Sequence, residues 1–318
     1  MVQYSKIKNK TYRFWRIDNY FIVMAELSVR DVKLLARTIS LVESEAAGYE
    51  DILKQLPPSA TPIIGITGPP GAGKSTMTDA LIGCLVAEGK KVAIVCVDPS
   101  SPFSYGALLG DRIRMREWYN HPDVFIRSLA TRGSLGGLHP KILEITDALK
   151  SAPFDYIIVE TVGVGQSEVE IAGLADITIV VVVPESGDDI QMMKAGLLEI
   201  ADIFVVNKSD RPDAERLVQN LKAITGSKSK AAHLPVLKTV ASEKQGISEL
   251  LKVIKEVIVS KDSQTLKIEK LVIKAWHLIQ QNRMKDINND KLREKIKTEY
   301  ENNGQFNLYD FVYQKRYE

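Results

Sequence analysis

Between residues 62 and 262, short and almost unbroken apolar runs alternate with longer stretches of helical period. The runs fall at 62–67, 91–97, 123–126, 156–159, 177–183, 203–206 and 234–237. Several are nearly continuous Val and Ile, lacking the polar alternation of a strand with one wet face, which is how a strand buried on both sides reads. Their alternation with helices predicts an α/β fold built on a doubly wound, mainly parallel sheet.

The flanks read differently. Residues 1–23 are basic and aromatic without a helical or strand period, and are expected to be a flexible extension or a misassigned start, with Met24 opening the folded unit. Ser28-Val29-Arg30-Asp31 supplies a helix start, and Val32, Leu35, Ile39 and Val42 then share one face. A stiff Pro-rich linker, 56–62, ends this N-terminal helical segment of residues 24–61 and delivers the chain to the first central strand. Beyond the main domain, 62–262, the pattern turns helical over 263–318. Ile268, Leu271, Val272, Ala275, Leu278 and Ile279 form an apolar stripe, a charged helix follows near 291–299, and an aromatic segment at 308–313 closes the pattern. Such helices either pack on the domain or form a dimer.

In a parallel sheet the ligand lies at the carboxyl ends of the strands, so the residues after each run carry the candidate chemistry. After the first run comes Gly68-Pro69-Pro70-Gly71-Ala72-Gly73-Lys74-Ser75-Thr76, a complete GxxxxGKS phosphate loop opening a helix. Glycine lets the backbone turn its N–H groups toward polyphosphate oxygens, and the helix N-terminus adds partial positive charge. Lys74 is placed to bridge β- and γ-phosphates and the Ser75 hydroxyl to hold Mg²⁺. Asp98 after the second run and Glu160 after the fourth are candidate carboxylates for the same ion, and Gly163 can offer its N–H to the γ-phosphate.

Asn207-Lys208-Ser209-Asp210 after the sixth run is an NKxD element. A carboxylate at Asp210 accepts from the N1–H and N2–H₂ of guanine. Adenine has no donor at either place and would leave the acid unpaired, so GTP is the expected nucleotide. The Lys208 stem is expected along the base plane, and a backbone N–H of the stretch Thr239-Val240-Ala241-Ser242, with Ala241 as the candidate, against the guanine oxygen. Val164 occupies the place where Ras-like GTPases carry a water-orienting glutamine. That task then falls to Gln166, Asp111 or a partner's residue, and slow unassisted turnover follows. Residues 184–191 are either a capped helix start or a mobile segment that senses the nucleotide.

Composition narrows the partners. Forty-two Lys and Arg against 40 Asp and Glu leave a net charge of +2, so no global field recruits nucleic acid or a membrane surface. Cys84 and Cys96 lack CxxC spacing and read as reduced core residues. The four histidines show no ligand spacing. With no apolar run of spanning length and a polar start, a cytoplasmic location is expected.

The runs GPPGAGKST, VDPSSP, LGDRIRM, ETVGVGQSE, PESGDDIQ, KAGLLEIAD and FVVNKSD together resemble the MeaB/ArgK family of methylmalonyl-CoA mutase-associated GTPases, from about residue 28 to about residue 315. The resemblance implies the fold class of signal-recognition-particle GTPases and a GTP-hydrolysing chaperone of an adenosylcobalamin-dependent mutase that gates cofactor loading and protection. It implies that Lys74, Ser75, Asp98 and Glu160 serve phosphate and Mg²⁺, that Asp111 and Arg112 belong to a first switch, and that 163–168 form a second. The segment 184–196 becomes a third switch facing the mutase, and the C-terminal helices a homodimer contact. Methylmalonyl-CoA mutase or a related mutase is the implied partner, with a cobalamin adenosyltransferase as a further one; cobalamin itself stays with the partners. Two rival readings are a kinase linked to amino-acid transport and a metal-insertion GTPase, the latter expected to need Cys and His pairs.

Overall fold

Val and Ile stretches with no polar alternation can only be strands if both sheet faces are covered, and the chain covers both. The computed structural model describes residues 2–7, 10–17, 20–23, 32–98, 115–131, 138–161, 167–184, 196–226, 234–261, 263–285, 287, 289–303 and 306–314. They divide into two compact units, Met1–Asp262 and Ser263–Glu318.

The first unit begins with strands β1 (Val2–Ile7), β2 (Lys10–Ile17) and β3 (Tyr20–Val23), paired antiparallel in chain order. This departs from the aperiodic extension expected there. Aromatic and basic residues occupy both odd and even positions of β2, so no apolar period marks the strand, although β-forming aromatics are plentiful in it.

The main sheet contains β4 (Ile63–Thr67), β5 (Val92–Asp98), β6 (Val124–Ala130), β7 (Tyr156–Glu160), β8 (Ile177–Val182), β9 (Ile203–Asn207) and β10 (Val236–Thr239). All are parallel, in the order β10-β9-β8-β4-β7-β5-β6. Every residue of β4, β5, β8 and β9 is buried. Side chains alternate between two cores. Ile64 and Ile66 face α3 (Lys74–Ala87) and α8 (Ile247–Ser260) through Met77, Leu81 and Leu250. Ile63 faces the opposite layer, where Leu35 and Ile39 of α1 (Val32–Glu43) meet Leu149 of α4 (Ile142–Lys150) and Ile171 of α5 (Ser167–Leu174). The short helices α2 (Tyr49–Leu53) and α6 (Leu197–Ile200), with α7 (Ala214–Gly226), complete this unit's named helices. The stripe read at Leu35, Ile39 and Val42 is buried, so α1 is part of the α/β core.

β6 runs four residues beyond the apolar stretch that announced it. Arg127 interrupts the run, and its guanidinium is neutralised by Glu43 of α1 at 2.5 Å, so the strand continues through a charged position.

The amino-terminal edge of the sheet repeats one device. Asp155, Asp176 and Asp202 each directly precede a strand and accept a backbone N–H from the start of the neighbouring strand. The donors are Lys91 at 2.8 Å, Ile63 at 2.9 Å and Thr178 at 2.8 Å. Each acid also faces a lysine: Lys90 at 3.2 Å, Lys150 at 3.9 Å and Lys261 at 2.6 Å respectively.

The second unit holds α9 (Gln264–Arg283), α10 (Asn289–Asn303) and α11 (Leu308–Tyr313). Ser263 caps α9 by accepting from Leu266 N, and Asn307 caps α11 by accepting from Tyr309 and Asp310 N. Phe311 is buried, with the Phe306 ring 5.4 Å away. Ile268, Leu271, Val272 and Ile279 of α9 are exposed. No helix among the described residues is long and apolar enough to cross a membrane.

Candidate active site

β4 is the centre of the sheet and hands the chain directly to the phosphate loop. Gly68 has φ +138°, and a Cβ there would stand 2.0 Å from the Val181 carbonyl oxygen of the adjacent β8. Gly73, at φ +88°, would drive a Cβ to 2.3 Å from Asn207 Nδ2. These two glycines are required both by backbone conformation and by close approach of the neighbouring strands' ends. Gly71, also at positive φ, faces open space.

Lys74 opens α3 and is buried; its ammonium donates to the Gly68 carbonyl at 2.9 Å and the Pro69 carbonyl at 3.0 Å. The cation is thus held over the loop that it is expected to serve. Ser75, next in the helix, donates to Glu160 Oε1 at 2.5 Å, and Thr78, one turn on, donates to Glu160 Oε2 at 2.9 Å. Glu160 is 3 % exposed at the end of β7. Asp98 closes β5 and is likewise buried, two residues past Cys96, which pairs with Glu160 across the ladder. The three metal-directed residues read from sequence therefore lie at adjoining strand ends and at the first turn of α3. Among the described residues no group of three or more His, Cys, Asp or Glu gathers as a metal site, and here two acids and a hydroxyl stand together.

The NKxD loop is joined to the phosphate loop through Asn207. Its Nδ2 donates to the Ala72 carbonyl at 2.8 Å, while its Oδ1 accepts from Thr239 Oγ1 and from Ala241 N, both at 3.1 Å. Asn207 is 2 % exposed, and its carboxamide works as a brace between loops. The Ala241 N–H, the candidate for the guanine oxygen, donates to Asn207, whose buried carboxamide oxygen takes donors. Lys208 turns the chain out of β9 with φ +54°, Ser209 N donates to the Thr239 carbonyl at 3.1 Å, and Asp210 is exposed beyond them.

Thr78 is absent from the residues that motif spacing singles out, and Thr239 is singled out for its backbone and not for its hydroxyl. The signal for Thr78 is faint: a second hydroxyl three residues after Ser75, hence on the same helix face. Asp111, Gly163 and Gln166, with Arg112, Val164 and nearly all of the 184–196 segment, lie outside the described residues.

A phosphate loop at the central strand, with an NKxD loop tied to its backbone, defines a P-loop nucleotide hydrolase. The sequence profile of the family described as methylmalonyl Co-A mutase-associated GTPase MeaB matches residues 35–299. A protein from Pyrococcus horikoshii described as a GTPase is 46 % identical over 241 residues, covering 74 % of this chain and 76 % of its own length. A fused isobutyryl-CoA mutase from Geobacillus kaustophilus is 38 % identical over 230 residues, which are 67 % of this chain and 21 % of that protein. A crystal structure described as an LAO/AO transport system kinase superposes with a TM-score of 0.59 at 25 % identity, covering 90 % of this chain and 94 % of the other. The chain belongs to the MeaB family, and its chemistry is the hydrolysis of GTP.

Proposed function

We propose that the chain is a Mg²⁺-dependent GTPase that serves as chaperone to a separate adenosylcobalamin-dependent acyl-CoA mutase, methylmalonyl-CoA mutase or a related enzyme. GTP hydrolysis would gate the loading of intact cofactor and the removal of damaged cofactor. The observation that carries the mutase assignment is the relative named a fused isobutyryl-CoA mutase, in which a segment like this chain makes up 21 % of one polypeptide. Covalent fusion holds two modules at high effective concentration, which rewards modules that act together. A cobalamin adenosyltransferase fits the same role as a second partner.

The donor set suits Mg²⁺: the Ser75 hydroxyl and the Asp98 and Glu160 carboxylates are hard oxygens, and one or two carboxylates with substrate phosphates and water are what this ion takes. When bound, the ion would supply charge neutralisation for the phosphates. Lys74, now donating to two loop carbonyls, exchanges them for phosphate oxygens as the triphosphate enters. Asn207 holds base loop and phosphate loop in one register, and Asp210 reads the guanine edge. Gln166, Asp111 or a residue of the mutase orients the attacking water, so turnover is slow until the partner docks. The exposed apolar residues of α9 supply a surface for a homodimer.

Capture from source lysate with a nonhydrolysable GTP analogue is expected to co-elute an acyl-CoA mutase, which then accelerates single-turnover hydrolysis at least about tenfold. Equal rates with and without that mutase would defeat the chaperone reading. Transfer of label from γ-labelled GTP to a protein acceptor would favour the kinase reading, suggested by the transport-system description of the structural neighbour.

A further inference from the structure

We propose that Thr78 is a positioning residue for the metal-binding hydroxyl of Ser75, acting through the shared Glu160 carboxylate. The inference rests on the assignment above of Ser75 and Glu160 to Mg²⁺.

Ser75 has one hydroxyl proton and two lone pairs. Its proton goes to Glu160 Oε1 at 2.5 Å, which turns the oxygen's lone pairs away from the carboxylate, the side from which a cation would be met. That direction holds only while Glu160 keeps its plane. A glutamate's terminal torsion is broad and roughly two-fold, so a single hydrogen bond does not fix it. Thr78 supplies a second point of attachment, donating to Oε2 at 2.9 Å from the same face of α3. Two hydroxyls three residues apart thus hold the two oxygens of one carboxylate.

A purely helical role for Thr78 is the competing account, since its hydroxyl also lies 3.0 Å from the Lys74 carbonyl. One proton cannot serve both acceptors at full strength. The ionised carboxylate is the stronger acceptor, and Thr78 is fully buried, so no solvent relieves the choice. Thr146 and Thr225, buried in other helices of the chain, bond carbonyls of the preceding turn, so the contact with a carboxylate is what sets Thr78 apart.

The test compares T78V, which keeps the branched shape and removes the hydroxyl, with T78S, which keeps the hydroxyl. Mg²⁺ is titrated calorimetrically into the GDP-loaded protein, and GDP affinity is measured separately in EDTA. T78V is expected to weaken Mg²⁺ binding about tenfold, the worth of one charge-assisted hydrogen bond, with metal-free GDP affinity within about twofold. T78S should stay within about twofold of wild type. T78A, which also lacks the hydroxyl, must weaken Mg²⁺ as T78V does and stands in for it if valine disturbs folding. S75A separates the two levels of the argument. If S75A weakens Mg²⁺ and folded T78V or T78A does not, the Thr78 inference is wrong; if S75A itself leaves Mg²⁺ affinity unchanged, the metal assignment falls with it.

Discussion

The two edges of the main sheet use the same residue types for opposite ends. At the amino-terminal edge Asp155, Asp176 and Asp202 accept backbone N–H groups from neighbouring strands and face lysines. At the carboxyl edge Asp98 and Glu160 are buried beside the phosphate loop, and Glu160 is engaged by two hydroxyls that a ligand can recruit. An acid at a strand end is therefore not informative by itself. What its donors are, and whether they have a second task, separates a staple from a site.

Substitutions should split along this line, and Lys74→Ala should split it furthest. Loss of the ammonium removes charge from the place where it develops during phosphoryl transfer, so GTP hydrolysis is expected to fall by about three orders of magnitude. The ammonium donates to main-chain carbonyls of the loop and sits at its ligand-facing side, and the thermal midpoint is expected to move little. Single-turnover kinetics and a melting curve on the same preparation check both halves. A large loss of stability in K74A would merge the two edges into one structural role.

Asp210→Asn comes next. The amide presents a donor where the carboxylate presented an acceptor, which mismatches the guanine N2–H₂ and matches the C2 oxygen of xanthine. GTP affinity should fall by about two to three orders of magnitude while XTP affinity rises, with folding unaffected because Asp210 is exposed. Competition binding with GTP and XTP reads the outcome, and unchanged preference would remove Asp210 from base recognition.

The unequal legibility of the two edges has a physical cause. The phosphate loop and the NKxD element constrain backbone and side chains over a few consecutive residues, so spacing alone reveals them. Val-rich β8 and β9 are buried at every position, and their runs announced this. The staples depend on donors 64, 113 and 24 residues away, and a lone Asp before an apolar run is indistinguishable from one that solvates a loop. The extra length of β6 depends similarly on Glu43, 84 residues from Arg127. Within the site, the roles of the Thr78 and Thr239 hydroxyls are hidden because hydroxyls carry no motif of their own, and the brace role of Asn207 emerges only once Ala72 and Ala241 are seen beside it. The meander at β1–β3 is not legible because β2 mixes aromatic and basic residues at alternate positions, which erases a period-two signal.

Asp202→Ala inverts the pattern of K74A. It removes the acceptor of the Thr178 N–H and leaves the Lys261 ammonium without its 2.6 Å partner. A cost of about 2 kcal/mol is expected from a lost charge-assisted hydrogen bond at a partly buried site. The kcat for GTP hydrolysis should be unchanged, since Asp202 lies at the opposite end of β9 from Asn207. Urea denaturation and steady-state kinetics measure the two, and a kcat loss exceeding about threefold would show that the edges are coupled.

The smallest effect is a pH dependence at Asp155. Partial burial pushes its carboxyl upward, but the Lys91 N–H and then the Lys90 ammonium outweigh this and hold it below the ordinary 3.8. A folded-state value below the unfolded one means that stability from this group is present above the unfolded value and disappears as pH falls through the folded one. Lys90 is displaced upward from 10.5 by the same contact, so on the alkaline side its contribution persists at and below 10.5 and is lost only above it. Asp155→Ala, which also strands the Lys91 N–H, should cost about 1 kcal/mol near neutrality. Asp155→Asn keeps an oxygen for that N–H and should cost less. The gap between wild type and either variant should narrow as the pH drops below 3.8, read as converging urea midpoints. A gap that stays constant from pH 7 down through the acid transition would mean that Asp155 is held by its shape and not its charge, and the staples would then be ordinary turns.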